Sequence, residues 1–441
     1  MRLKSFPGGV HPHDNKHFSK NAQVEEMPLP GKVVIPLSQH IGAPAKPIVQ
    51  VGDKVLTGQQ IAEPGGFVSI PMHASISGTV SKIDLFPHPI GNRQMAIEIT
   101  GDGTDEWVTL EDNPDFMNLS PKDMKEKIAQ AGICGMGGAG FPTHVKLSPP
   151  AENPIDTVIL NGVECEPYLT SDYRVMMERG ADIVSGLKAI MKILNAANGY
   201  IGIEVNKKDA IAKMSQLVKG EKNIQVVGLK LKYPQGAEKQ LIYATTKRKV
   251  PSKGGLPLAV GVVVQNVGTA VAVYEALRFG KPLIQRVVTM TGKIVKNPKN
   301  LRTRIGTPMS EMLAFCSGTK SEIGKVISGG PMMGIAIPTL DTPVGKGTSG
   351  IVILDPKEAR KDEENVCLHC GRCVDVCPMD LFPAQIAACV RTEKWEQADK
   401  SGLTDCMKCG SCAYVCPAHI KLVQWIEIGK QKVAEMQRAK K

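Results

Sequence analysis

The run CLHCGRCVDVCP at 367–378 returns as CMKCGSCAYVCP at 406–417. Both copies have the spacing C-x2-C-x2-C-x3-C-P and begin 39 residues apart, at Cys367 and Cys406. Three thiolates so closely spaced can wrap three corners of one Fe4S4 cube in a short loop. Gly371 and Gly410 let the backbone approach the cube, where N–H groups can reach its sulfurs. Pro378 and Pro417 close each loop without an N–H of their own to satisfy. A segment built this way folds around two [4Fe–4S] clusters.

When two such runs sit in one domain, the fourth cysteine of each ligates the other run's cluster. Cluster one is therefore expected on Cys367, Cys370, Cys373 and Cys416, and cluster two on Cys406, Cys409, Cys412 and Cys377. Zinc favours two C-x2-C pairs separated by a wider gap. Cys134, Cys165, Cys316 and Cys389 remain, and read as small buried hydrophobes. Twelve cysteines in a chain that opens without an apolar signal segment point to metal in a reducing compartment rather than to disulfides.

The other stretches suggest three further units. Residues 29–110 alternate short apolar runs (KVVIPL, AKPIVQV, QMAIEIT) with Gly and Pro turns, an all-β pattern. VGDKVLTGQQIAEPGG followed by ASISGTVSKI resembles the lipoyl/biotinyl-type barrel-sandwich hybrid. No lysine lies between Gln60 and Val80, which argues against a swinging-arm role. From about 116, helical and strand patterns alternate, implying an α/β domain with a largely parallel sheet. LSPKDMKEKIAQAGI reads as a helix capped by Ser120, DTVILNGVE as a buried strand, and TSDYRVMMERGADIVSGLKAIMKILNAAN as one long helix. Residues 286–358 turn β-rich again with one short helix near MSEMLAFC, and the charged KEARKDEEN leads into the cysteine region as a linker or helix edge. LAVGVVVQNVGTAVAVYEAL, the nearest approach to a membrane span, carries Gln265, Asn266 and Glu275 and fits a strand–turn–helix better. The surplus of +11 charges suits an acidic partner or simply a soluble surface. With no arginine-rich arm interleaved with aromatics, nucleic acid is not expected. HPHD (His11, His13, Asp14) reads as a structural loop, and the basic, amphipathic KLVQWIEIGKQKVAEMQRAKK as a capping helix or a docking face.

Three loops carry the remaining chemistry. GICGMGGAGFPTHVKL contains G-x-G-x-x-G at Gly135, Gly137 and Gly140, but a helix precedes it and Phe141-Pro142 follow, unlike a dinucleotide fingerprint. Such a loop can still bring backbone N–H groups to a phosphate or a flat ring, with Lys146 near to neutralise charge. NGVECEPYLTSDYR sets Glu164 and Glu166 at the end of a strand, where ligands of α/β domains bind. In VVVQNVGTAVAVYEAL, the amides of Gln265 and Asn266 interrupt an apolar passage and need partners, which a flavin or simple capping supplies.

Together these loops resemble the NADH- and FMN-binding flavoprotein subunit of respiratory complex I, whose motifs read roughly GRGGAGFP, NADESEP and NNVET. With FPGGVHP at the start and the doubled cysteine run at the end, the whole chain resembles the RnfC/RsxC family, the C subunits of Rnf electron-transport complexes. The resemblance implies a multidomain α/β plus β fold. Its parts are an N-terminal barrel-sandwich-hybrid-like β domain (1–115), an FMN/NADH-binding α/β domain (116–285), an SLBB β-grasp domain (286–358), and an α-helical 2[4Fe–4S] ferredoxin-type domain with a C-terminal helix (359–441). It implies FMN on Gly135, Gly137, Gly138, Gly140, Lys146, Asn161, Glu164, Asn266 and Thr269, and NADH against Glu166 and Phe141. The family's GEE appears here as Gly236-Ala237-Glu238, and the long Ala/Lys-rich tail of some members is missing. Hydride exchange between NAD(H) and flavin, then single-electron transfer through the clusters, would couple NAD(H) and ferredoxin to Na+ or H+ translocation. Partners would be the iron–sulfur B subunit and the membrane subunits A, D, E and G, with this chain peripheral on the cytoplasmic side of a bacterial membrane. Alternatives are a cobalamin reductase of a microcompartment, in which the flavin motif sits nearer the N-terminus, or an iron–sulfur relay without NADH activity.

Overall fold

The computed structural model describes residues 3–359 and 362–439. Arg360 and Lys361, inside the charged stretch before the first cysteine run, lie outside the described residues, as do Met1, Arg2, Lys440 and Lys441.

The stretch 29–110 is β, as its patterning predicts. Lys32–Pro36, Arg93–Gly101, Gly78–Pro87 and Lys54–Val55 form one antiparallel sheet in that order, and Lys46–Pro47, Gln60–Glu63 and Met72–His73 form another. Val33, Ile35, Ile61, Ile70, Met72, Ile97 and Ile99 fill a shared core. The segment before the barrel also reaches other sheets. Lys4 bridges Leu229 and Val10 bridges Tyr233, while Val24–Glu26 pairs in parallel with Lys299–Arg304 in another sheet. This opening segment is polar and rich in Gly and Pro, with no alternation to bury in the barrel. Its backbone groups are satisfied on sheet edges elsewhere.

The α/β unit holds a four-stranded sheet in the order Ile224–Leu229, Asn198–Glu204, Thr157–Asn161, Val262–Asn266, all parallel. Its strands are apolar on both faces because helices cover both. Pro121–Gln130 is the first helix, and the Ser120 hydroxyl accepts from Asp123 N–H. The single long helix expected after the second motif is two, Ser171–Glu178 and Gly180–Leu194. Arg179 leaves helical geometry at φ −123° and pairs with Asp182 and Glu275. Gly180 packs so closely on Leu217 that a Cβ would come within 2.6 Å of its side chain. Val262–Asn266 passes directly into helix Val267–Phe279, whose first turn Asn266 caps.

A six-stranded mixed sheet follows, in the order Val24–Glu26, Lys299–Arg304, Gln285–Thr291, Gly350–Leu354, Lys325–Ser328, Ile335–Ile337, with helix Met309–Phe315 beside it. The cysteine region is helical, with short helices Arg372–Asp375 and Ser411–Tyr414 packed on each other. The C-terminal helix Leu422–Ala439 buries Ile426 and Val433 against Ile386, Val390 and Leu403, so this apolar face is covered within the chain. No helix among the described residues is long and apolar enough to cross a membrane.

Candidate functional site

Strands Thr157–Asn161 and Val262–Asn266 end side by side, with Asn161 opposite Asn266. Above these ends opens a cavity of about 490 Å³, within the range of about 300–1,000 Å³ typical of small-molecule sites. Gly135, Gly137, Gly138, Gly140, Phe141, Lys146, Asn161, Glu164, Glu166 and Asn266 all line it. Thr269 does not. It is buried behind the wall, and its hydroxyl accepts from Met136 N–H at 2.9 Å, tying the glycine-rich loop to the helix after Asn266.

The glycine-rich loop is a closed hairpin. Gly135 N–H donates to Phe141 O at 2.8 Å, and Thr143 N–H to Ile133 O at 3.0 Å. Gly137 and Gly140 take φ of +75° and +69°, a region costly for other residues. A Cβ on Gly137 would stand 2.9 Å from the Asn266 amide, whereas one on Gly138 would meet nothing within 4 Å. The loop thus presents bare backbone to open space. Lys146 reaches the wall already paired to Glu238, the acid retained in Gly236-Ala237-Glu238, at 2.7 Å.

The two amides divide their roles. Asn266 is satisfied within the protein: its Oδ1 accepts from Gly268 N–H and its Nδ2 donates to Asp172 Oδ2, both at 2.7 Å. Gln265, also buried and on the wall, has an Nε2 without a partner among the described residues. Asn161 donates to Gly236 O at 2.7 Å and fixes the opposite rim.

The Glu164 side chain is buried and Glu166 is half-buried, and desolvation pushes each carboxyl up to about 7. Glu164, at φ +49°, accepts from Asp172 N–H at 2.7 Å, and its other oxygen lies 4.0 Å from Lys16 Nζ with no hydrogen bond among the described residues. Glu166 accepts from Met332 and Met333 N–H at 3.0 and 2.8 Å, which oppose the rise. Glu166 therefore joins the α/β unit to the Gly329–Gly334 loop of the six-stranded unit. Beside it, Tyr233 OH donates to Cys409 O at 2.7 Å.

Motif reading did not find the charges beneath this loop. Lys16 Nζ donates to the carbonyls of Glu166 and Leu169 at 2.8 and 2.6 Å, and Lys207 Nζ to Val163 O at 2.8 Å. Glu204 is buried 3.7 Å from Lys207. Its signal was present in the sequence, as an acid ending the apolar strand GYIGIE. Lys16 and Lys207 carried none.

The cysteine runs form two separate chambers. Cys406, Cys409, Cys412 and Cys377 line one, and Cys367, Cys370, Cys373 and Cys416 the other. The two loops repeat their backbone: His369 and Lys408, Gly371 and Gly410, and Asp380 and His419 all take positive φ. His369 N–H donates to Cys367 Sγ and Lys408 N–H to Cys406 Sγ, both at 3.4 Å. Met379 and Met407 line both the Cys377 chamber and the 490 Å³ cavity, so these two thioethers are the partition between them. Gly9 N–H donates to Val376 O at 2.8 Å, and a Cβ on Gly8 would stand 2.9 Å from Cys377 O, so the FPGGVHP segment straps this chamber to the α/β unit. Cys134, Cys316 and Cys389 are buried; Cys165, on the cavity wall, accepts from Gly236 N–H at 3.3 Å.

Residues 4–104 match the RnfC barrel sandwich hybrid domain, 128–275 the Nuo51 FMN-binding domain, 287–336 the SLBB domain, and 366–420 the 4Fe-4S dicluster domain. Over 96% of its length the chain is 51% identical to the C subunit of a proton-translocating ferredoxin:NAD(+) oxidoreductase complex from Clostridium ljungdahlii, covering 93% of that protein. The chain belongs to the RnfC family. It is 45% identical to the corresponding protein of the Na(+)-translocating complex of Acetobacterium woodii, with 98% of each chain covered. It is 42% identical to the corresponding protein of an ion-translocating oxidoreductase complex of Pseudomonas aeruginosa, but spans only 56% of that longer protein. Solved structures of an NAD+-reducing [NiFe]-hydrogenase superpose with TM-scores of 0.48 and 0.49 at 15% and 17% identity, over 74% and 72% of this chain and 68% and 64% of theirs.

The residues present fit the two cofactor types of these RnfC-family domains. An orphaned amide at Gln265, a bare loop at Gly138 and a cavity of flavin-sized volume suit FMN. Eight thiols in two separate fours, with backbone N–H groups aimed at sulfur, suit two [4Fe–4S] clusters.

Proposed function

We propose that this chain is the NAD(H)-handling C subunit of an ion-translocating ferredoxin:NAD+ oxidoreductase complex. It lies peripherally on the cytoplasmic face of the membrane and exchanges electrons with an iron–sulfur B subunit and, through it, with membrane subunits A, D, E and G. The carrying observation is the shared partition: Met379 and Met407 stand between the large cavity and the chamber of Cys406, Cys409, Cys412 and Cys377.

In this reading Gly135, Gly137, Gly138 and Gly140 hold FMN with backbone, Lys146 offsets phosphate charge, and Asn161, Glu164 and Gln265 fix its polar edge. Thr269 holds the loop from behind, and Asn266, on the cavity wall, packs beneath Gly137. Phe141 and Glu166 meet the nicotinamide. Each Glu166 oxygen takes one backbone N–H, from Met332 or Met333, and keeps acceptor capacity for the incoming amide. FMN, when bound, converts a two-electron hydride into single electrons. The residues around it exclude water and keep the cofactor next to cluster two on Cys406, Cys409, Cys412 and Cys377. Cluster one, on Cys367, Cys370, Cys373 and Cys416, follows. Domain limits near 116, 286 and 359 fit these roles, except that the opening strap serves the α/β and cluster units. An anaerobic NADH titration of the reconstituted protein tests the scheme. Flavin bleaching followed by [4Fe–4S]+ signals is the expected result; clusters without any flavin binding would leave only an electron relay.

A further inference from the structure

Two cations stand buried behind the glycine-rich loop without a carboxylate within 4 Å among the described residues. Both come from the six-stranded unit that contains the SLBB match. Lys346 is 2% exposed, and its Nζ donates to Gly132 O at 2.6 Å and Pro71 O at 3.3 Å. Gly132 opens the loop's stem. Arg286 is 6% exposed, and its Nε and Nη2 donate to Thr348 O at 3.3 and 3.2 Å. Its remaining arm lies against Met136 Sδ, and Met136 lines the main cavity. Asp172, which also accepts from Asn266, is the acid whose charge acts most on Arg286, from beyond 4 Å.

Burying a cation without a direct ion pair is costly even when carbonyls solvate it. Carbonyls can be satisfied by neutral donors, so solvation of Gly132, Pro71 and Thr348 does not explain why both side chains carry charge. Their common property is position, one layer behind a loop that faces a cofactor whose charge changes. A hydride transferred from NADH, which leaves as NAD+, adds one negative charge to the bound flavin until a proton follows. In a low-dielectric surrounding, fixed positive charge favours that reduced form.

We propose that Arg286 and Lys346 are positioning charges of the flavin site: the SLBB-containing unit supplies them to stabilise the negative charge of bound, reduced FMN. This rests on the FMN reading above. If wild-type protein does not bind FMN, that reading fails; if it binds and the variants behave like wild type, only this inference fails.

The test uses the full, cluster-reconstituted chain carrying Arg286→Gln, Lys346→Gln, and the charge-keeping Arg286→Lys. Glutamine retains a donor for the same carbonyls. The measurements are the flavin midpoint potential, the affinities for FMN and riboflavin, and the thermal midpoint. Each Gln variant is expected to lose about ten-fold of its preference for reduced over oxidised flavin, a fall of about 30 mV for a two-electron couple. Lys346→Gln, which removes a buried charge with no carboxylate near it among the described residues, should leave the thermal midpoint unchanged or higher, whereas Arg286→Gln should lower it because buried Asp172 loses its cation. Arg286→Lys should keep the wild-type potential. A ten-fold loss of FMN affinity with riboflavin affinity and the midpoint potential both intact overturns the proposal, because the phosphate carries the same charge in both redox states. Unchanged potential and affinities in both Gln variants overturn it. So does a loss of fold in both Gln variants with Arg286→Lys also unfolded, which makes the side chains structural.

Discussion

Crossed ligation can be tested by counting iron. Cys377 belongs to the first run but lines the chamber of Cys406, Cys409 and Cys412, and Cys416 belongs to the second run but lines the chamber of Cys367, Cys370 and Cys373. The chambers share no lining residue, so damage to one should spare the other. With two cubes the chain holds about eight iron atoms. Cys377→Ala should leave about four. Adding Cys409→Ala should still leave about four, because both changes strike one chamber. Adding Cys370→Ala instead should leave almost none, because each change strikes a different chamber. If each run held its own cube, the two double variants would exchange results. Anaerobic reconstitution, iron and sulfide analysis, and EPR after dithionite reduction read the outcome. Four iron atoms in Cys377→Ala/Cys370→Ala, with none in Cys377→Ala/Cys409→Ala, would refute the crossed arrangement.

Two further outcomes follow from the buried charges. Glu166 rises from 4.5 to about 7 in the fold, worth of order 3 kcal/mol at about 1.4 kcal/mol per pH unit. Between those values the folded chain holds a proton that the unfolded chain releases, so this contribution is full below about 4.5 and is lost as pH rises through 7. The thermal midpoint should therefore fall from pH 5.5 to 8, less steeply in Glu166→Gln; an equal slope in that variant contradicts the burial argument. Lys16 is the cation within 4.0 Å of Glu164, so Lys16→Met should cost about 3–5 kcal/mol once Glu164 is ionised. The loss of thermal midpoint should be larger at pH 8 than at pH 6, and an equal loss at both would mean that Lys16 serves only the carbonyls of Glu166 and Leu169.

What could be read in the sequence was local. The cysteine spacing, the glycine run and the strand entering its helix at Asn266 each specify geometry within a dozen residues. Even the division between Gln265 and Asn266 had a signal, since an asparagine immediately before a helix is a preferred cap and is thereby occupied. The break at Arg179 was harder. Its cause is the contact of Gly180 with Leu217 and the pairing of Arg179 with Glu275, both remote in sequence. Lys16, Arg286 and Lys346 lie in KHF, QRVV and VGKGT, where nothing distinguishes them from surface cations. Only docking of distant segments removes them from water.

The same distinction explains how the cavity is divided among parts of the chain. Its floor and glycine-rich wall come from the α/β unit, which is also where the FMN-binding domain match lies. Its far wall includes Met333 and Ser349 of the six-stranded unit and Met379, Asp405 and Met407 of the cysteine unit. A lone α/β unit would leave Glu166 without Met332 and Met333, Glu164 without Lys16, and the loop without Arg286 and Lys346 behind it. Each of these is a buried charge or polar contact whose cost falls only when the units dock. Flavin-site order and cluster proximity are therefore one property: the contacts that seat the strap and the Gly329–Gly334 loop also fix the Cys377 chamber against the cavity, through Gly9, Tyr233 and Met332.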